Sequence, residues 1–159
     1  MKRSYNMTII DGKHHINQVR NLIIEYTQML NRDLSFQNID DELKDPSKKY
    51  TAPVGELLVA IENDEVVGMI AYHKHSATRC EMKRLYVKPK YRGMKLGEQL
   101  IQKLIELAIQ SGYTEMVLDT LLPLQSAIYL YQKLGFQQCE PYYNNPMNDV
   151  IYFKKMLLE

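Results

Sequence analysis

Apolar residues change their spacing several times along the chain, and each change marks an element. Residues 7–10 form a short apolar run, after which Ile16, Val19, Ile23, Tyr26 and Leu30 recur at helical spacing, so a strand and then a helix are predicted. Between residues 31 and 55 the pattern weakens. A helical turn over 39–43 is expected there before the breakers Pro46 and Pro53. This is the most loop-like stretch, and loops often carry substrate contacts. Residues 56–61 and 66–73 are β-rich runs joined by the polar Glu62-Asn63-Asp64-Glu65, which suits a hairpin. A third strand is read over 81–87 and ended by Pro89. Leu96, Leu100, Ile101, Leu104, Ile105 and Ala108 then form a helical stripe that stops near Gly112, a natural left-handed cap. A strand over 115–119, a helix over 126–134 closed by Gly135, and a strand over 150–157 complete the chain. Hairpins mixed with a strand-helix-strand crossover indicate an α/β (α+β) sheet domain covered by helices.

Length and composition fit that picture. With 159 residues, 45% apolar and 25% charged, the whole of 1–159 reads as one domain able to bury its own core. Twenty basic against nineteen acidic residues leave a formal charge of +1, so no global field draws the protein to nucleic acid or membrane. Any anion site must be local. Cys80 and Cys139 are far apart and in no metal-ligand spacing, which argues against a disulfide framework or zinc site and suits a reducing cytoplasm. The start Met1-Lys2-Arg3-Ser4-Tyr5 is basic but lacks the following apolar h-region of a signal peptide. Nor does any stretch approach the roughly 20 apolar residues of a membrane span, so the protein is read as soluble and unexported. Twelve tyrosines without a tryptophan suit a polar cleft, since a tyrosine packs its ring and keeps a hydroxyl for hydrogen bonding.

The candidate chemistry begins at Tyr91-Arg92-Gly93-Met94-Lys95-Leu96-Gly97, between the third strand and the striped helix. A helix N-terminus leaves its first amides unpaired, glycines let a phosphate approach them, and Arg92 and Lys95 can add charge-assisted bonds. Two glycines before a helix describe an ordinary structural turn equally well. The chain has neither a G-x-x-x-x-G-K-[ST] nor a G-x-G-x-x-G run, so ATPase and dinucleotide readings lose support.

From about residue 56 onward the sequence resembles the GCN5-related N-acetyltransferase (GNAT) family. The strand Arg84-Leu85-Tyr86-Val87, then Pro89, then the turn from Tyr91 to Gly97, is similar to the family's acetyl-CoA signature [QR]-x-x-G-x-[GA]. Downstream, Ala127-Ile128-Tyr129-Leu130-Tyr131-Gln132-Lys133-Leu134-Gly135-Phe136 is similar to its second hallmark, A-x-x-L-Y-x-x-x-G-F. The resemblance implies a mixed, mostly antiparallel central sheet flanked by helices, with acetyl-CoA as acyl donor and no metal. It also implies a primary amine of a small molecule or peptide as acceptor, and makes a homodimer slightly more expected than a monomer. A non-catalytic acyl-CoA-binding or sensing domain is the alternative, and Tyr131 discriminates in favour of the enzyme.

The implied acetyl-CoA contacts are Leu85, Tyr86 and Val87, with the Val87 N–H as oxyanion donor, then Arg92, Gly93, Met94, Lys95, Leu96 and Gly97 at the diphosphate, and Ser126, Tyr131 and Lys133. Two positions depart from the family pattern: Lys95 replaces the signature's middle glycine, and Leu124 replaces a frequent asparagine. Tyr131 falls at the family's general-acid position, where its plain alternative is a packing tyrosine. Glu81 falls where some members carry a base, and burial could raise its pKa; its alternative is an ion pair with Lys83, Arg84 or another basic neighbour. Period-two spacing puts His73 and His75 on one face of a strand end, where a metal pair is conceivable but lacks a third ligand. Phe36, Tyr50, Tyr72, His73 and Tyr142, with Tyr143, are candidates for the acceptor pocket, and core packing explains any one tyrosine as well. Asp40, Asp41 and Glu42 read as a solvated helix start.

Overall fold

The computed structural model describes residues 7–157, so the basic start of the chain lies outside the described residues. Its elements are β1 (Met7–Asp11), α1 (Ile16–Leu30), α2 (Ile39–Lys44), β2 (Gly55–Glu62), β3 (Glu65–Lys74), β4 (Arg79–Val87), α3 (Leu96–Gln110), β5 (Glu115–Leu121), α4 (Gln125–Lys133), β6 (Gln137–Cys139) and β7 (Val150–Met156). The strands form a seven-stranded sheet in the order β1-β2-β3-β4-β5-β7-β6. Short connections make β2, β3 and β4 antiparallel neighbours, β1 pairs antiparallel with β2 after the long α1–α2 excursion, and the α3 crossover sets β5 parallel to β4. The helix α3 ends as its glycine suggests: Gly112 takes φ +92°, and the Tyr113 N–H donates to the Ala108 carbonyl at 3.0 Å. Among the described residues no helix is long and apolar enough to cross a membrane.

Alternation along the strands builds a separate core on each face. On one, Val19, Leu22 and Ile23 of α1 pack against Leu57, Val59, Met69, Ala71 and Tyr86. On the other, Leu100, Ile101 and Leu104 of α3 pack against Leu58, Ile70, Met82 and Leu118, with Tyr131 of α4 in the same cluster. Cross-strand partners share a face, so the pairs Ala71↔Lys83 and His73↔Glu81 place Lys83 and Glu81 on the α1 side.

Two irregularities interrupt the ladders of β4. Met69 pairs with Tyr86 but Ala71 with Lys83, so β4 carries one residue more than β3 and bulges there. Arg84 sits in this bulge at φ +63°, a left-handed conformation that costs an ordinary residue about 1–2 kcal/mol. The second irregularity lies between β4 and β5. They pair only through Arg79↔Glu115, Cys80↔Met116 and Glu81↔Val117, although both strands run on, and beyond Glu81 they part.

Candidate active site

The parting of β4 and β5 opens the middle of the sheet. The Lys88 N–H donates to the Val67 carbonyl across β3 at 2.9 Å. Backbone groups alternate sides along a strand, so those of Val87 and Leu85 turn the other way, into the gap. Arg92 Nε takes the Val87 carbonyl at 2.9 Å. The cleft built on this gap has a volume of about 650 Å³, and Leu85, Tyr86, Val87, Arg92, Gly93, Lys95, Leu96, Gly97, Ser126, Tyr131 and Lys133 all line it.

At one end stands the N-terminus of α3. Its first backbone bond runs from the Gln99 N–H to the Lys95 carbonyl at 3.1 Å, so the Leu96, Gly97 and Glu98 amides have no helical acceptor. Gly93 at φ +83° and Lys95 at φ +60° curl the preceding turn into a concavity of the kind that binds anions. Lys95 thus holds a left-handed backbone conformation of the kind that favours glycine. Its side chain makes no hydrogen bond or ion pair among the described residues, so its charge is available to a phosphate. A Cβ on Gly97 would stand 3.4 Å from Leu130 Cδ2, leaving little room for a larger residue between α4 and an anion. These features fit a diphosphate at the turn and an extended arm along β4, as acetyl-CoA requires.

The α1 side of the cleft is polar. Because of the bulge, Lys83 and Arg84 point to the same face: Arg84 donates to Glu42 Oε2 at 2.8 Å and Oε1 at 3.0 Å, and its guanidinium lies 5.6 Å from the centre of the Tyr26 ring. Tyr50 O–H donates to Glu42 Oε1 at 2.9 Å. Burial alone would raise the Glu42 pKa, but Arg84, Lys49 and Tyr50 outweigh it and hold the carboxyl below its ordinary value. Across the gap on β5, Asp119 Oδ2 accepts from the Tyr143 O–H and from Asn145 Nδ2, while Oδ1 takes no hydrogen bond among the described residues. Tyr131 is buried, edge-on to Phe136, and its hydroxyl has no partner among the described residues. Burial raises its pKa, and the nearby Tyr26 and Asp119 add to that, so the phenol holds its proton.

Several expectations from the sequence need correction. Glu81 does not have a raised pKa. Burial pushes it up, but hydrogen bonds from His73 Nε2 (2.6 Å) and the Tyr142 O–H, with the charge of Lys83, pull it down to about 2. Both its oxygens are engaged, and it does not line the cleft. Nor do Phe36, Tyr50, Tyr72, His73 or Tyr142. Tyr72 lies on the wrong face of β3, in the α3 core, where it bonds Ser111 and meets Tyr113 edge-on. Tyr50 is committed to Glu42, His73 and Tyr142 to Glu81, and the short turn containing half-buried Phe36 presents Leu34 and Gln37 instead. Met94 stays off the cleft wall, and Lys133 reaches it while paired to Glu98 at 3.3 Å. Glu42 is not a solvated helix start; Asp40 and Asp41 are exposed, but Glu42 is 4% exposed. Asp119, Lys83 and the Arg84–Glu42 pair were not singled out by the sequence as site residues. The only advance signal was the even spacing that puts Glu81 and Lys83 on one face.

Comparison with known proteins extends these observations. The model of the acetyltransferase (GNAT) family matches residues 16–136. An uncharacterized N-acetyltransferase of Schizosaccharomyces pombe is 45% identical over 141 residues, covering 87% of this chain and 86% of its own. The crystal structure of an acetyltransferase from Streptococcus agalactiae superposes with a TM-score of 0.79 at 26% identity, covering 94% of this chain and 98% of its own. A protein from Salmonella typhimurium, solved with its cofactor acetyl-CoA, has the same fold at a TM-score of 0.75 and 21% identity, covering 96% of this chain and 95% of its own.

Proposed function

The chain belongs to the GNAT acetyltransferase family, and on that footing we propose that it transfers an acetyl group from acetyl-CoA directly to the primary amine of a small molecule or peptide. The observation that carries this reading is the pairing of two unengaged reactive atoms on one cleft, the Tyr131 hydroxyl and Asp119 Oδ1. Acetyl-CoA supplies the acetyl group as a thioester.

The protein's own groups divide the remaining work. The amides of Leu96 and Gly97, with Arg92 and Lys95, hold the diphosphate. The Val87 N–H, turned into the gap, donates to the thioester oxygen where negative charge develops. Tyr131 donates its O–H toward the sulfur as the C–S bond breaks. Asp119 Oδ1 receives the proton that the attacking amine loses as the C–N bond forms. Glu81, engaged with His73 and Tyr142, keeps the loop after β6 against the sheet rather than moving the proton itself.

Following free thiol release from acetyl-CoA across a panel of primary amines tests the reading. Saturable release with at least one amine is expected, and tight CoA binding without release from any amine would favour a sensing domain. The cradle has its own test. Gly97→Val is expected to keep its fold but weaken CoA binding about tenfold or more, the effect of losing one hydrogen bond to a charged group. Calorimetry against CoA checks this, and unchanged affinity would place the diphosphate elsewhere.

A further inference from the structure

The charged groups on the α1 side of the cleft are matched to one another, with two exceptions. Arg84 on the cleft is spent on Glu42, and off the cleft wall Arg32 is spent on Asp149 at 2.8 Å and His73 on Glu81. Lys83 and Asp119 Oδ1 are left. Lys83 is 8% exposed and lines the cleft, and its ammonium makes no hydrogen bond or ion pair among the described residues. A buried charge without a partner is costly and is ordinarily compensated. Burial pulls the Lys83 pKa down; Glu81 and Asp119 oppose this, while Arg84 and Lys49 add to it. On the same cleft, Gln37 Oε1 is a buried acceptor with no hydrogen-bond partner among the described residues.

We infer that Lys83 is the receptor for a carboxylate of the acceptor, so that the amine acetylated belongs to a small amino acid or a similar zwitterion with one carboxylate beside its amine. This rests on the acetyl-transfer reading of the same cleft. Lys83 on β4 and Asp119 on β5 face one gap and are close enough for the Asp119 carboxylate to act on the Lys83 ammonium. One open cation and one open anion there match a molecule with one charge of each sign. Lys83 takes the carboxylate and Asp119 the amine's proton, while Gln37 Oε1 remains an open acceptor on the same cleft. A phosphate would ask for a second uncommitted cation, but Arg84, the other cation on this wall, is already paired with Glu42. A polyamine would bring a like charge to Lys83, and an internal peptide amine would leave it unpaired.

Calorimetry of the CoA-loaded protein against a set of amino acids, each beside its own carboxamide, tests the inference. At least one free acid is expected to bind about tenfold or more tightly than its carboxamide, the effect of one hydrogen bond to a charged group. That preference should disappear in both Lys83→Met and Lys83→Gln, with melting curves and CoA affinity confirming that each variant folds. Equal binding of acids and carboxamides, a preference that survives in a folded variant, or no amino-acid binding at all would overturn it. Thiol release on the same ligands separates the two ideas. A Lys83-dependent preference without release would count against acetyl transfer and keep the carboxylate receptor, whereas release with neutral amines and no preference for acids would do the reverse.

Discussion

Tyr131→Phe is expected to lower the turnover of acetyl transfer by about 10²-fold or more, within the range contributed by a positioned acid, while leaving acetyl-CoA affinity nearly unchanged. The ring keeps its packing against Phe136 and Phe153, and only a hydroxyl with no partner among the described residues is lost. Because that hydroxyl makes no hydrogen bond among the described residues and faces the open cleft, its removal should cost little stability. The two possible roles of the residue therefore predict different results. A merely structural tyrosine would leave turnover unchanged, whereas an acid at the sulfur gives a folded protein that binds acetyl-CoA and releases thiol slowly. Steady-state kinetics with the best acceptor, beside a melting curve and CoA calorimetry, distinguishes them. Its raised pKa keeps Tyr131 protonated, so no loss of activity from its ionisation is expected on moving to mildly alkaline pH.

Elements with a strong period were legible in the sequence. The stripe from Leu96 to Ala108 lies within α3, and the hairpin read at residues 62–65 joins β2 and β3. Elements without one were not. Gln137-Gln138-Cys139 has no alternation and becomes β6 only by pairing along the edge of β7. Ser35–Gln37 and Pro46–Lys48 are single short turns in a stretch that is tied to α1 through Arg20 and to β4 through Arg84.

At the site, the cofactor half followed from local chemistry, since a turn, two glycines and a helix start are contiguous in the chain. The acceptor half depends on tertiary detail. The bulge at Arg84 sets Lys83 and Arg84 on one face against simple alternation, and no residue type announces a non-glycine at φ +63°. Period-two reading could place Glu81 and Lys83 together, but not show that His73 and Tyr142 would occupy Glu81. It could not reveal Asp119 either, which becomes a cleft residue only because β5 leaves β4 after Val117.

The buried Arg84–Glu42 pair anchors the residue at the bulge to α2, so the second large effect is expected at Glu42. Arg84 and Glu42 are both 4% exposed, and Arg84 Nε and Nη2 each donate to a different Glu42 oxygen. Glu42→Leu removes one partner and leaves a guanidinium buried in a left-handed backbone position. Breaking such a pair costs about 3–5 kcal/mol, and a chain of this size loses about 2–4 °C of melting temperature per kcal/mol, so a fall of roughly 10 °C is expected. Adding Arg84→Met should recover much of the loss, because apolar groups of similar size can replace a buried ion pair. A double variant no more stable than the single one would show that the pair itself is not the source. Stability should also respond to pH in a definite direction. The Glu42 pKa is depressed in the fold, so its contribution is present above the unfolded carboxylate value of 4.5 and is lost as pH falls through the lower folded value. Urea unfolding from neutral pH down through 4.5 should therefore show the wild type losing stability more steeply than Glu42→Leu. Glu81, held down at about 2 by its own partners, leaves the variant a residual slope in the same direction. Equal slopes would mean that Glu42 is not the charged partner of Arg84. The same variant frees the bulge that carries Lys83 and Leu85, so acceptor binding should fall more than CoA binding, whose diphosphate site at α3 does not touch Glu42.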